Sequence, residues 1–259
     1  MIDAWTAAQV REAERPHLDA GEPLMQRAAD GLATVVREVL RASSVRRGAR
    51  TPKVLLLVGS GNNGADALYA GESLAREFVP VGGVVTVVPA GSRVHEEALA
   101  AALETGAVLD DVERWCDEAA VSERLPGYDV VLDGLVGTGS HGPGLRGDAL
   151  RVVQAMLGVG VGVGVGVGVG TGAGAGARAG AAGAPPVVVA VDVPSGIGVD
   201  DGTVPDPLAV LAADVTVTFG GHKVGLLVAP ASRLAGRLVL VDIGIGADLA
   251  RLPPAFSTP

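Results

Sequence analysis

The chain of 259 residues carries 20 basic and 29 acidic side chains, a net charge of −9, which excludes an electrostatic grip on nucleic acid or anionic lipid. With 48% hydrophobic and 3% aromatic residues, a full aliphatic core can be buried, wholesale disorder is excluded and a base-stacking surface is disfavoured. The length accommodates one large α/β domain or two small ones. A single cysteine, Cys116, leaves no internal disulfide, so a cytoplasmic location is expected. The start Met1-Ile2-Asp3-Ala4-Trp5 lacks a basic segment followed by an apolar one, and no signal peptide is expected.

Two helices are predicted first. Thr6-Ala7-Ala8-Gln9 has the spacing of a capping box. From Pro23 to Arg41, apolar residues recur near the helical period at Leu24, Ala28, Leu32, Val35, Val36 and Leu40. A basic, turn-rich stretch with Arg46, Arg47 and Arg50 follows. The pattern then switches to short apolar runs, each followed by a helical segment. A strand over Val54–Val58 ends in Gly59-Ser60-Gly61-Asn62-Asn63-Gly64, and a helix is predicted from Ala65 to Phe78. A strand over Val84–Val88 precedes helices near Val94–Glu104 and Asp117–Leu125. A strand over Asp129–Leu132 runs into Asp133-Gly134-Leu135-Val136-Gly137-Thr138-Gly139, with a helix near Asp148–Leu157 beyond it. The strand Val187–Val191 ends in Asp192-Val193-Pro194-Ser195-Gly196, and strands near Val215–Phe219 and Leu238–Val241 complete the set.

Continuous apolar runs mark strands buried on both faces, and their alternation with helices marks βαβ units. The expected fold is α/β: a three-layer α/β/α Rossmann-like arrangement around a mostly parallel sheet, in a single domain spanning 1–259. Residues 158–184 form a low-complexity Gly/Val/Ala tract holding twelve of the 39 glycines, expected as a surface loop insert between a helix and a strand. No charge occurs from Val152 to Ala177, yet the Gly-Val alternation argues against a membrane helix. Each Gly there costs about 1 kcal/mol relative to Ala in a helix.

The Gly-rich, acid-bearing loops Gly59–Asp66, Asp133–Gly139 and Asp192–Gly196 each follow a strand directly. In a parallel sheet such loops share the carboxyl edge, where ligands bind. The first loop is not a P-loop, since no Gly-Lys-Ser/Thr follows; its glycines and its helix suit an anion, and Asn62 serves equally well as an ordinary cap. Asp133 is either a turn residue or a carboxylate for a cation or hydroxyl. Asp192 is a candidate general acid/base or a satisfied turn aspartate. Carboxylates converging on one crevice repel unless a cation or proton is shared, and donors that are all oxygen suit a hard ion. Weaker candidates surround these. The four histidines lack metal spacing and read as surface or loop residues. Lys223 is either a phosphate contact or a solvated lysine. Ser195 lacks the Gly-x-Ser-x-Gly context of a hydrolase nucleophile. Nothing beside Cys116 activates a thiolate.

With these loops placed, the chain resembles the NAD(P)H-hydrate epimerases, the YjeF N-terminal domain family. The matching segments are Val58–Asp66, Asp133–Gly139, Val189–Gly196, Thr216–Gly220, Val241–Ile245 and the opening Pro23–Ala28. The resemblance implies an enzyme that interconverts the R and S forms of hydrated NADH and NADPH, with one potassium ion per subunit and a homodimer. It implies a substrate site lined by Asn62, Asn63, Gly64, Ala65 and Asp66, by Gly137, Thr138, Gly139, Ser140, His141, Gly142 and Pro143, and by Asp192. Asn63, Asp133 and Ser195 would lie at the potassium ion, and Asp192 would act as acid/base. A separate NAD(P)H-hydrate dehydratase would act downstream. The family pattern Gly-Asn-Asn-Gly-Gly-Asp-Gly reads here with Ala65 and Ala67 in place of glycines. At a predicted helix start, both alanines should be tolerated. Two other classes compete with this reading. A non-catalytic scaffold of the same fold has no need of Asn63, Asp133 and Asp192 together. A dehydrogenase needs a ribose-binding acid after the second strand, where Pro89-Ala90-Gly91 stands instead.

Overall fold

The computed structural model describes residues 1–47, 50–139, 144–162 and 185–258. Ser140, His141, Gly142 and Pro143, and the Gly-Val tract from 163 onward, lie outside the described residues. In chain order the elements are β1 (Asp3–Trp5), α1 (Ala7–Asp19), α2 (Leu24–Arg47), β2 (Lys53–Val58), α3 (Asn62–Phe78), β3 (Val84–Pro89), α4 (Glu96–Glu104), β4 (Val108–Leu109), α5 (Glu118–Arg124) and β5 (Val130–Gly134). There follow α6 (Gly147–Gly158), β6 (Val187–Val191), β7 (Val215–Phe219), β8 (His222–Lys223), α7 (Val224–Leu227), β9 (Arg237–Val241), α8 (Gly246–Leu249) and β10 (Phe256–Ser257).

Seven strands form one parallel sheet in the order β4-β3-β2-β5-β6-β7-β9. The apolar runs are continuous because both faces are covered. Along β2, Val54, Leu56 and Val58 enter the core under α2, α3 and α4, while Leu55 and Leu57 enter the opposite core under α5 and α6. The residue alternation of a strand thus feeds two cores. On the first face Leu32 and Val36 of α2 are fully buried; a Leu buried in this way contributes about 1.5–3 kcal/mol. The expected three-layer α/β/α fold is what the chain adopts.

The sequence of strands reverses direction between β2 and β5: β3 and β4 extend the sheet on one side, and β5, β6, β7 and β9 on the other. That junction is the topological switch point, where loops leaving the carboxyl ends diverge and open a crevice. The loops after β2 and β5 flank it, and the loop after β6 lies one strand further on.

Several boundaries differ from expectation. Helix α3 begins at Asn62 rather than Ala65. Residues 46 and 47 belong to α2 rather than to a turn, and Arg50 pairs with Asp129 at the foot of the sheet. A small second sheet, β10-β1-β8, was not foreseen. Its strands are two or three residues long, too short to carry any periodicity. It clasps both ends of the chain beside Lys223, because β1 pairs with β8 and with β10. The predicted capping box closes α1: Gln9 N–H donates to the Thr6 hydroxyl at 3.2 Å, and Thr6 N–H donates to Gln9 Oε1 at 2.9 Å.

Candidate functional site

The chain leaves β2 and turns at once into α3. Gly61 makes that turn with φ 104° and caps the helix without a side-chain bond, so Asn62 is the first helical residue and not the cap. The free N–H groups of the first turn therefore face the crevice with the positive end of the helix dipole. Close approach fixes the next residue: a Cβ on Gly64 would stand 2.2 Å from the Gly59 carbonyl oxygen. Asn63 is buried, and its Nδ2 has no hydrogen-bond partner among the described residues. A Cβ on Gly137 would lie 2.7 Å from Asn63 Oδ1, which puts the loop after β5 directly against that amide.

Asp133 and Gly134 lie within β5, and Asp133 is fully buried. The carboxylate accepts from Ser195 Oγ at 2.6 Å, Ser195 N–H at 2.9 Å and Leu135 N–H at 3.4 Å. Burial pushes the Asp133 carboxyl above the ordinary range, against the opposing pull of the Ser195 bonds. Ser195 Oγ also meets the backbone of Val136, accepting from its N–H at 2.8 Å. Asp133, Val136 and Ser195 thus join the loops after β5 and β6 in one oxygen-rich knot.

Asp192 follows β6 with φ 64°, the one non-glycine residue with positive φ among those described. Side chains other than Gly, Asn and Asp rarely adopt that backbone. Its Oδ1 accepts from Lys223 Nζ in a short ion pair, from Thr218 Oγ1 at 3.1 Å and from Phe219 N–H at 3.3 Å. Lys223 is 1% exposed and spends its other donors on Thr218 Oγ1 at 3.1 Å and the Phe219 carbonyl at 2.8 Å. It is neither a solvated lysine nor one free to hold a phosphate. The second Asp192 oxygen takes no hydrogen bond from the described residues, so every anchor falls on one side of the carboxylate.

Asp66 and Glu14 face this pair. Asp66 is 8% exposed and makes no hydrogen bond or ion pair among the described residues. Burial first, then the charges of Asp192 and Glu14, raise its carboxyl well above the usual range, and Lys223 opposes them. Glu14, on α1, is likewise raised by burial and by Asp192, against Lys223 and Arg11. Helix α1 is tied across this edge of the sheet: Ala7 N–H donates to Asp200 at 2.6 Å, and Arg11 donates to the Thr138 carbonyl at 3.0 Å. Sequence reasoning missed Glu14 and Arg11. Both sit on an ordinary helix, and nothing local shows where that helix docks.

An open cavity of about 450 Å³ lies at the switch point, against Leu135 and Val136 of the loop after β5. It is lined by Gly59 and Ser60 after β2, Gly91 and Ser92 after β3, and Arg146 and Gly147 at the start of α6. Arg146 is exposed and makes no ion pair among the described residues.

The foreseen residues converge in part. Asn63 meets Gly137, Asp133 meets Ser195, and Asp66 lies within charge reach of Asp192. Asn62 and Gly139 are exposed. Thr138 enters through its backbone carbonyl. Ala65 and Ala67 are buried in the core and have no positive φ, so no left-handed backbone demands glycine at either place. The described histidines are not all surface or loop residues. His17 lies in α1 and bridges Glu22 and Asp248 at 2.8 and 2.9 Å, and His222 lies half-buried in β8. His95 caps α4. Burial raises the Cys116 thiol, in keeping with an unactivated cysteine. Among the described residues, no group of three or more His, Cys, Asp or Glu side chains is placed to hold a metal ion. None of the described helices is long and apolar enough to cross a membrane.

A parallel α/β/α sheet with glycine-rich loops and buried carboxylates at its switch point defines a Rossmann-like ligand-binding protein. The family described as YjeF-related protein N-terminus matches residues 21–225, and the chain belongs to that family. A protein of Clavibacter michiganensis subsp. michiganensis named NAD(P)H-hydrate epimerase is 41% identical over 98% of this chain and 95% of its own length. A protein of Clavibacter sepedonicus with the same name is 44% identical over the same shares. The Bifunctional NAD(P)H-hydrate repair enzyme Nnr of Mycobacterium tuberculosis is 39% identical over 95% of this chain and 42% of that protein. Among solved structures, yeast ynu0 superposes with a TM-score of 0.64 over 92% of this chain and 87% of that chain at 19% identity, which establishes a shared fold.

Proposed function

We propose that the chain is an NAD(P)H-hydrate epimerase that interconverts the R and S forms of hydrated NADH and NADPH in the cytoplasm. The observation that carries this reading is Asp192, held by three donors on one oxygen in a left-handed backbone while its other oxygen takes no hydrogen bond from the described residues. Strained backbone at a ligand edge, over-determined by its surroundings, suits a group that must stay aimed.

The substrate carries a hydroxyl on C6, next to ring nitrogen N1. The N1 lone pair can expel that hydroxyl and leave a flat iminium, to which water returns from either face. The protein must move a proton at the C6 oxygen and stabilise charge. Asp192 is the acid/base, and the first turn of α3 offers free N–H groups to negative charge. The cavity on the β3 side would take the rest of the dinucleotide, with the α6 start and Arg146 toward its phosphates.

The residues fit a hard monovalent cation. Asn63 is buried and offers its side-chain Oδ1, and Asp133 is a fully buried carboxylate whose hydrogen bonds, among the described residues, come from the neutral Ser195 and Leu135. Their donors are all oxygens. Asn63, Asp133 and Ser195 would hold potassium, which when bound would offset buried negative charge and help orient substrate. A separate dehydratase would consume the product; the bifunctional relative is a longer protein, of which this chain spans 42%.

The test follows epimer interconversion by chromatography. Purified protein is mixed with the pure R hydrate of NADH, in potassium buffer and in potassium-free buffer. Acceleration over the spontaneous background, reduced without potassium and lost in Asp192→Asn, is expected. No acceleration by protein that still binds the hydrate would overturn the assignment and leave a binding module of the same fold.

A further inference from the structure

Asp66 is a buried, partnerless carboxyl for which the single acid/base scheme has no use. It is 8% exposed, on the second turn of α3 within charge reach of Asp192, and no described residue gives it a hydrogen bond or an ion pair. A buried ionised carboxylate without a partner is costly, whereas a protonated one is not. Lys223, the nearby cation, has its ion pair with Asp192 instead. The charged groups facing Asp66 are Asp192 from the loop after β6, Glu14 from α1 and Lys223 from β8. Two of these three are acidic, and the basic one is committed elsewhere. Desolvation and the two facing carboxyl groups therefore favour the protonated form of Asp66.

Resting on the epimerase reading, we propose that Asp66 is the second acid/base of the site, the proton donor to the oxygen that leaves C6, with Asp192 as the proton acceptor for the water that returns. The C6–O bond breaks, and its electron pair departs with the oxygen. The oxygen takes the Asp66 proton and leaves as water, while the N1 lone pair closes the C6–N1 double bond. A water oxygen then bonds to C6 from the other face, N1 recovers its pair, and the water gives its proton to Asp192. One proton has passed from Asp66 to Asp192, and exchange with solvent restores the starting state. The reverse reaction uses the same groups with their roles exchanged, as an epimerase requires.

The experiment measures kcat and KM across pH for the wild-type chain, Asp66→Asn and Asp66→Glu, with potassium present. The wild-type kcat should fall toward alkaline pH as the donor is lost. Asp66→Asn should lower kcat by about a hundredfold or more, with KM changed less than about threefold and the alkaline limb abolished. Asp66→Glu should recover part of the rate together with a limb. An Asp66→Asn enzyme within about threefold of wild-type kcat with an unchanged limb overturns the proposal while leaving the epimerase assignment intact; a wild-type chain without activity overturns both. The protonation state is read separately, independent of any variant's folding, by carbon-13 NMR of the aspartate carboxyls in the wild-type chain. An Asp66 carboxyl titrating in the ordinary aspartate range would also overturn the proposal.

Discussion

Replacing Lys223 with Met tests whether the buried ion pair organises the site. Lys223 is 1% exposed and gives three bonds, to Asp192 Oδ1, Thr218 Oγ1 and the Phe219 carbonyl. Met fills most of the volume but leaves the Asp192 carboxylate buried with only Thr218 Oγ1 at 3.1 Å and Phe219 N–H at 3.3 Å. Removing one partner of a buried pair costs about 3–5 kcal/mol, because the remaining charge stays desolvated. In a chain of this size that is roughly 6–20 °C in thermal midpoint. Removing both charges should be far cheaper: Lys223→Met with Asp192→Asn should recover most of the loss, to within about 2 kcal/mol of wild type. Urea unfolding followed by circular dichroism reads all four corners of the cycle. A single variant that loses less than about 1 kcal/mol, or a double variant at the sum of the single losses, would refute the pairing argument.

The other predictions concern glycine packing, buried charge and the cavity. Gly64→Ala drives a methyl group to 2.2 Å from the Gly59 carbonyl, so the start of α3 must shift; about 1–3 kcal/mol of stability and most of the turnover should be lost, and a fully active variant would show the approach to be slack. Asp66→Asn should gain stability relative to wild type as pH rises. The folded wild type holds the Asp66 proton more tightly than the unfolded chain does. Its stability is therefore fullest below the unfolded value of about 3.9 and falls as pH rises through the raised folded value. The variant lacks that fall, and a stability difference independent of pH between about 4 and 8 would contradict the buried acid. Arg146→Ala should raise KM about tenfold or more with kcat nearly unchanged, the mark of a phosphate contact made equally in ground and transition states. An unchanged KM would put the phosphates elsewhere.

The sequence by itself determined the layers and the loops. Val54–Val58, Asp129–Leu132 and Val187–Val191 read as strands because each is short and largely apolar, and each hands over to a glycine-rich, acid-bearing turn. Such local signals depend only on neighbours along the chain, and they sufficed to bring Asn63, Asp133, Asp192 and Ser195 to one edge. Helix α3 starts three residues before the expected Ala65 because Asn and Gly resemble loop in composition, and composition does not show that Gly61, with φ 104°, completes the turn and leaves Asn62 helical.

Tertiary structure alone decided which groups share an environment. Asp66, Asp133 and Asp192 are indistinguishable as letters. Asp133 is sealed against Ser195, Asp192 is tied to a lysine 31 residues away, and Asp66 faces both Asp192 and Glu14 without a bond to any described residue. In sequence Lys223 reads as either a phosphate contact or a solvated lysine, because its burial comes from the β10-β1-β8 clasp and the docking of α1, contacts made between distant parts of the chain. Secondary structure follows local pattern; protonation follows desolvation and nearby charge, which exist only once the chain has closed on itself.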